Sequence, residues 1–174
     1  MRLFVAIDCE PVEFHLKKIQ KSLHPLRGRF TDDFHLTLKF IGNVDDSKLE
    51  SVINRLSKIE LPSFELCLNH LGMFNTYNQQ IIWCGIEKSN PLLELQSSVN
   101  QVLQDILSEP YKFTPHITLL RIKKVLPETK EIVKEVLTKE FQPVLLKVRE
   151  FKLFKSQLKS GPPKYLVRAR FPLS

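Results

Sequence analysis

Apolar residues in this chain follow two rhythms, one of period two and one of helical spacing, and the switches between them mark out its elements. Arg2 to Asp8 is an apolar run of strand length, and after Pro11 the residues Val12, Leu16, Ile19 and Leu23 recur at helical spacing. From Phe34 to Gly42 the period becomes two, with Phe34, Leu36, Leu38 and Phe40 on one face and His35, Thr37 and Lys39 on the other. Asp45, Asp46 and Ser47 offer caps, Ser47 with Glu50 fits a capping box, and Leu49, Val52, Ile53 and Leu56 form the next helical stripe.

Phe64 to Leu68 and Gln80 to Ile86 read as strands around a connection that contains Phe74 and Tyr77. Asn90 and Pro91 supply the N-cap and first position of a long helix filled by Leu92, Leu95, Gln96, Val99, Leu103, Ile106 and Leu107. Pro115 to Arg121 is strand-like, Glu128 to Leu137 a short amphipathic helix, and strands follow near Val144 to Phe154 and Lys164 to Phe171. The stretch Lys159 to Lys164 between them is a loop by composition. This order repeats one half-pattern, which predicts a bilobal α+β fold in a single domain over residues 1–174 with no linker.

Composition narrows the setting. At 174 residues and 43% hydrophobic the chain suits one domain, or two small lobes sharing a core. No apolar stretch approaches a membrane span, and the opening residues lack the features of a signal peptide, so a cytoplasmic protein without a membrane partner is expected. Cys9, Cys67 and Cys84 are odd in number and scattered, which signals neither disulfides nor a zinc ribbon. Lys and Arg outnumber Asp and Glu by 26 to 19, giving a net charge of +7 that favours a polyanionic partner.

The chemistry-bearing signal is a duplicated tetrapeptide, His35-Leu36-Thr37-Leu38 and His116-Ile117-Thr118-Leu119. On a strand, His and Thr two apart project to the same face while the apolar residues point to the core. Halves packed about a pseudo-twofold axis place two imidazoles across one cleft, which is the geometry for acid and base catalysis at phosphorus. The Thr37 and Thr118 hydroxyls suit non-bridging phosphate oxygens, and Arg121 would add charge-assisted hydrogen bonds. Perfect alternation, however, would point Arg121 away from His116, so its participation requires a bulge or strand end. This arrangement needs no metal or other cofactor, and a metal hydrolase lacks a third ligand at useful spacing.

At these residues the chain resembles the two-histidine phosphoesterase superfamily, and within it the RNA 2',3'-cyclic phosphodiesterase branch, also called the 2'-5' RNA ligase family. The likeness covers nearly the whole length and includes Arg2-Leu3-Phe4-Val5-Ala6-Ile7, the block Phe34 to Gly42, and the block Phe113 to Arg121. It departs at Leu120, at Phe30 and over Gly72 to Asn78. The resemblance implies two antiparallel sheets related by pseudo-twofold symmetry, flanking helices and a central cleft. It implies His35 as general acid toward the departing 3' oxygen and His116 as general base activating water, with Thr37, Thr118 and Arg121 holding the phosphate.

The expected partner is an RNA or oligonucleotide end bearing a 2',3'-cyclic phosphate, and the expected state is a monomer. Two alternatives use the same residues: 2'-5' joining of tRNA halves, and a non-catalytic module that captures RNA ends. Among quieter candidates, Phe74 and Tyr77 could stack a base and Arg168 and Arg170 could guide RNA, though packing and solvation are the commoner roles. Asp32 and Asp33 could orient an imidazole, with a turn role more common, while His15, His24 and His70 read as structural or exposed.

Overall fold

The computed structural model describes residues 1–77, 79–106, 112–123, 130–157 and 163–174. The strands are β1 (Arg2–Asp8), β2 (Arg29–Phe30), β3 (His35–Asn43), β4 (Phe64–Asn75), β5 (Gln80–Ile86), β6 (His116–Ile122), β7 (Val144–Val148), β8 (Glu150–Gln157) and β9 (Lys164–Pro172). Every pairing is antiparallel, in the order β7-β4-β5-β6-β3-β1-β8-β9, with β2 against β6. The two expected sheets are thus β9-β8-β1-β3 and β6-β5-β4-β7. They meet where Leu36 pairs with Ile117, and there they join into one continuous nine-stranded sheet.

The four helices among the described residues are α1 (Glu13–Ser22), α2 (Leu49–Leu56), α3 (Asn90–Val102) and α4 (Lys130–Leu137). Their stripes bury Leu16 and Ile19, Val52 and Leu56, Leu92, Leu95 and Val99, and Val133 and Val136. These side chains share one core cluster with Leu3, Val5, Ile7, Leu36, Ile82, Cys84, Ile117 and Leu119 of the strands. Each buried aliphatic side chain contributes about 1.5–3 kcal/mol, and a one-residue slip in register would turn a strand's apolar set to the wrong face. The core therefore fixes which face the alternate residues take. On that second face Phe4, Ala6 and Phe154 form a smaller apolar cluster with Tyr165 packed on it.

Several boundaries differ from the sequence expectation, each for a local reason. Ser89, not Asn90, caps α3, its Oγ accepting the Leu92 N–H at 3.3 Å, and Pro91 follows inside the first turn. The helix ends at Val102, and Leu103 is buried just beyond it, while Leu107 lies outside the described residues. A 3-10 turn at Asp46–Lys48 precedes α2, and no side-chain hydrogen bond caps it. The run from Val144 to Phe154 breaks at Arg149, because β7 pairs with β4 at one side of the sheet while β8 pairs with β1 at the other. Strand β4 runs on to Asn75, so Phe74 is a strand residue rather than a loop residue. Residues 128–129 of the expected short helix and 159–162 of the expected loop lie outside the described residues.

Candidate active site

The His-x-Thr strands are neighbours, and their register builds the site. With Leu36 opposite Ile117, the flanking positions of this antiparallel pair set His35 against Thr118 and Thr37 against His116. Leu36 and Ile117 are fully buried in the core, so the four polar side chains share the opposite face. His35 and His116 are diagonal neighbours, a relationship that spaces such positions roughly 7 to 8 Å apart. After burial and Arg121, His116 also helps to depress the pKa of His35.

Arg121 reaches this face through the bulge that its participation required. In the β5–β6 register Ile82 faces Leu120 and Trp83 faces Thr118, so Leu119 is the extra residue. Leu119 and Leu120 are both buried, alternation restarts one residue late, and Arg121 joins His35 and Thr118 around one pocket of about 220 Å³. The carbonyl of Leu119 accepts from Gln20 Nε2 of α1 at 2.9 Å and from the Thr31 N–H at 3.0 Å. Gln20 also donates to the Thr31 carbonyl at 2.8 Å, and a side chain from α1 thereby fastens the bulge that aims Arg121.

A matching bulge occurs in β3, where Val5 faces Lys39 and Ala6 faces Thr37, leaving Leu38 as the extra residue. It corrects the expected faces: Lys39 is buried, and Phe40 turns to the site face, 53% exposed and 5.9 Å from Phe4. Phe40 and Arg121 occupy equivalent places in the two halves, each five residues after its histidine. Sequence alternation missed Phe40; the available signal was extension of the doubled motif to that fifth position.

Each imidazole is set in an aromatic frame. Phe4, Phe154 and Tyr165 surround His35 at 5.1, 6.4 and 5.0 Å. Phe74 meets His116 edge-on at 4.8 Å, Trp83 lies at 6.2 Å, and His116 Nδ1–H donates to the Thr114 carbonyl at 2.7 Å. A carbonyl only accepts, so Nδ1 carries the proton and the other nitrogen, Nε2, is left for a ligand. Gly72 makes the Trp83 placement possible: a Cβ there would lie 2.1 Å from the indole.

Burial and Arg121 both disfavour the charged rings. His35 is pushed down to about 4, first by burial and then by Arg121 and His116, against opposing help from Asp8 and the Asp33 carbonyl. His116 is lowered by burial and Arg121 despite its bond to Thr114. In the unfolded chain a histidine takes its proton near 6.5, so stability present above that pH is lost as pH falls toward about 4, where folded His35 protonates. The loss from His35 is on the order of 3 kcal/mol. Urea denaturation of the wild type and of His35→Gln between pH 7 and pH 4 is expected to show a smaller loss in the variant; parallel curves would contradict the assigned cause.

The quieter candidates resolve differently. Tyr77 is fully exposed, while Phe74 is committed to packing on His116 and Trp83. Asp32 and Asp33 line the pockets beside His35. Asp8 is the carboxylate beside His35: the two are paired across β1 and β3, and Asp8 is itself bound at 2.6 Å by the nearly buried Lys152. The corresponding neighbour of His116 is Gly85. His15, His24 and His70 are exposed, with His24 stacked on Phe30 and His70 packed on Trp83. No described helix is long and apolar enough to cross a membrane.

The α+β fold is shared with solved structures along its length. The protein TT0787 of Thermus thermophilus matches with a TM-score of 0.79 at 26% identity, covering 99% of this chain and 97% of that one. Apo Escherichia coli LigT matches with a TM-score of 0.80 at 26% identity, covering 100% and 98%. In sequence, the RNA 2',3'-cyclic phosphodiesterase of Archaeoglobus fulgidus is 30% identical over 171 residues, 95% of this chain and 96% of its own. That of Thermotoga maritima is 29% identical over 176 residues, 96% and 92% of the two chains. Matched to enzymes over nearly its whole length, the chain is an enzyme. The family model of the 2'-5' RNA ligase superfamily matches residues 10–159, and the chain belongs to that superfamily.

Proposed function

We propose that this protein hydrolyses 2',3'-cyclic phosphates at RNA ends, leaving a 2'-phosphate, by acid and base catalysis from His35 and His116. The observation that carries the reading is the pairing of Leu36 with Ile117, which sets two imidazoles diagonally across one face with a Thr beside each. The names of the Archaeoglobus and Thermotoga relatives support the substrate, and E. coli LigT has been solved in complex with 3'-AMP and with phosphate.

In this mechanism His116 Nε2 takes a proton from water as its oxygen attacks phosphorus. The P–O3' bond breaks on the opposite side, and the His35 imidazolium delivers its proton to O3'. Thr37, Thr118 and Arg121 donate to the non-bridging oxygens, where charge accumulates. The two halves are not equivalent, and the difference fits the roles. Asp8 favours the protonated form of His35, whereas Gly85 gives His116 no such partner. In the free protein burial and Arg121 outweigh Asp8 at His35; the negative charge of a bound phosphodiester offsets Arg121 and favours the imidazolium. Phe40 offers a flat exposed face to the terminal base, a contact typically worth about 1 to 3 kcal/mol.

The direct test incubates purified protein with oligonucleotide and nucleoside 2',3'-cyclic phosphates in excess EDTA and identifies the monoester against authentic 2'- and 3'-phosphates. A 2'-phosphate formed at an undiminished rate is expected. A 3'-phosphate, loss of activity in EDTA, or binding with no product would each sink the mechanism. Including a 5'-hydroxyl RNA fragment in the same mixture reads out any 2'-5' joined product.

A further inference from the structure

Two walls of opposite charge flank His35. One pocket beside it is lined by Asp8, Glu10, Glu13, Asp32 and Asp33, with Phe154 and Tyr165 among the rest of its lining. The carboxyl of Asp33 is pushed up by burial and by its neighbours Asp32, Asp8 and Glu13, all of them acidic. The other pocket is also lined by Asp32 and Asp33, but it brings the three cations Arg29, Arg121 and Lys164 together with His35, Thr118 and Tyr165. A strand of RNA carries one negative charge per nucleotide, so its path from the cyclic end is favoured along the second wall and opposed along the first.

Arg29 stands out on that basic wall. It is the cross-strand partner of Arg121, with Phe30 beside it opposite Leu120. Like charges directly opposite each other in a sheet are destabilising. Burial is the main cause that lowers the Arg121 pKa, and Arg29 lowers it further, while the Tyr165 hydroxyl beside them is raised by burial with Arg121, Arg29 and Arg2 opposing. Among the described residues no carboxylate forms an ion pair with Arg29 or Lys164. Arg121 by itself matches the one phosphate between the histidines. Arg29 and Lys164 are cationic groups in excess of what that phosphate neutralises.

We propose that Arg29, with Lys164, binds the phosphodiester one nucleotide upstream of the cyclic end, so that the enzyme prefers oligonucleotide ends to single nucleoside cyclic phosphates. This rests on the hydrolytic reading above and adds the substrate class. The subsite relieves the repulsion between Arg29 and Arg121 when it is filled, which ties recognition of the chain to the charge at the reacting phosphate. Arg29 stays close to the reaction yet acts on a phosphate that does not react.

The test compares kcat/KM for a nucleoside 2',3'-cyclic phosphate and for a trinucleotide ending in the same nucleoside, in wild type, Arg29→Gln, Arg29→Lys and Lys164→Gln. The wild type is expected to favour the trinucleotide by roughly tenfold or more, from one charge-assisted contact. Arg29→Gln collapses that ratio toward one, Lys164→Gln reduces it, and Arg29→Lys keeps most of it. The slope of log(kcat/KM) against log[salt] for the trinucleotide falls in Arg29→Gln by about 0.7, the value for one single-strand phosphate contact. Equal use of the two substrates by the wild type, or a ratio unchanged in Arg29→Gln, overturns the subsite and leaves the hydrolytic reading standing. No turnover of either substrate by the wild type overturns that reading and the subsite with it.

Discussion

His116→Ala and His35→Ala each lower turnover of an RNA 2',3'-cyclic phosphate by roughly 10² to 10⁴-fold, the usual worth of a general base or acid. Their single losses do not multiply: with one imidazole gone the other has no coupled partner, so the double variant falls little below the worse single one. Removal of either ring also leaves an aromatic frame partly unfilled, Phe4, Phe154 and Tyr165 on one side and Phe74 and Trp83 on the other. His35→Gln and His116→Gln therefore accompany the alanine variants, and circular dichroism with thermal melting separates lost chemistry from lost fold. Turnover near wild type in any well-folded single variant, or a double loss equal to the product of the singles, rejects a shared transition state.

Arg121→Ala carries the second large effect, a loss of roughly 10² to 10³-fold in kcat, as for removal of a donor to developing charge. The same substitution has a signature that a structural role would not give. Arg121 depresses both histidines, so its loss moves both upward toward the ordinary imidazole range. Burial remains, and it is the larger cause at each ring, so the recovery is partial. Imidazole NMR titration of the free protein reads this directly, and the pH–rate profile shifts to higher pH alongside it. Arg121→Lys retains the charge and hence the depressed values, but loses the forked geometry and much of the rate. Histidine titrations unmoved in Arg121→Ala would place the guanidinium elsewhere.

Gln20 connects these effects to the fold. Its amide fastens the Leu119 carbonyl, which the β6 bulge leaves beside the Thr31 N–H. The link spans α1 and β6, elements far apart in sequence, and it is invisible to any local pattern. Local patterns did reach the strands themselves. The period-two run from Phe34 and the apolar run from Arg2 locate β3 and β1, and helical stripes locate α1 and α2 to within a few residues. They failed at Lys39 and Phe40, where strict alternation assigns the faces in reverse, because a bulge is an insertion in one strand relative to its partner. They failed again at Arg149, where the decision to break the strand lies with β4 and β1, the separate partners of β7 and β8.

By itself the sequence determined the two His-x-Thr elements, the face each presents, and the apolar residues that drive the other face inward, since these depend only on the two-residue period of a strand. It also determined the excess of basic side chains. Only the tertiary structure decided that the two elements are adjacent, in the register that opposes Leu36 to Ile117, and that they close one sheet rather than two. The bulges that turn Arg121 and Phe40 to the site, and the neighbours that make His35 and His116 unlike, belong to it as well. Strand pairing is a contact between segments some eighty residues apart, and its register is fixed by packing of the whole core, so no short window of the chain contains it.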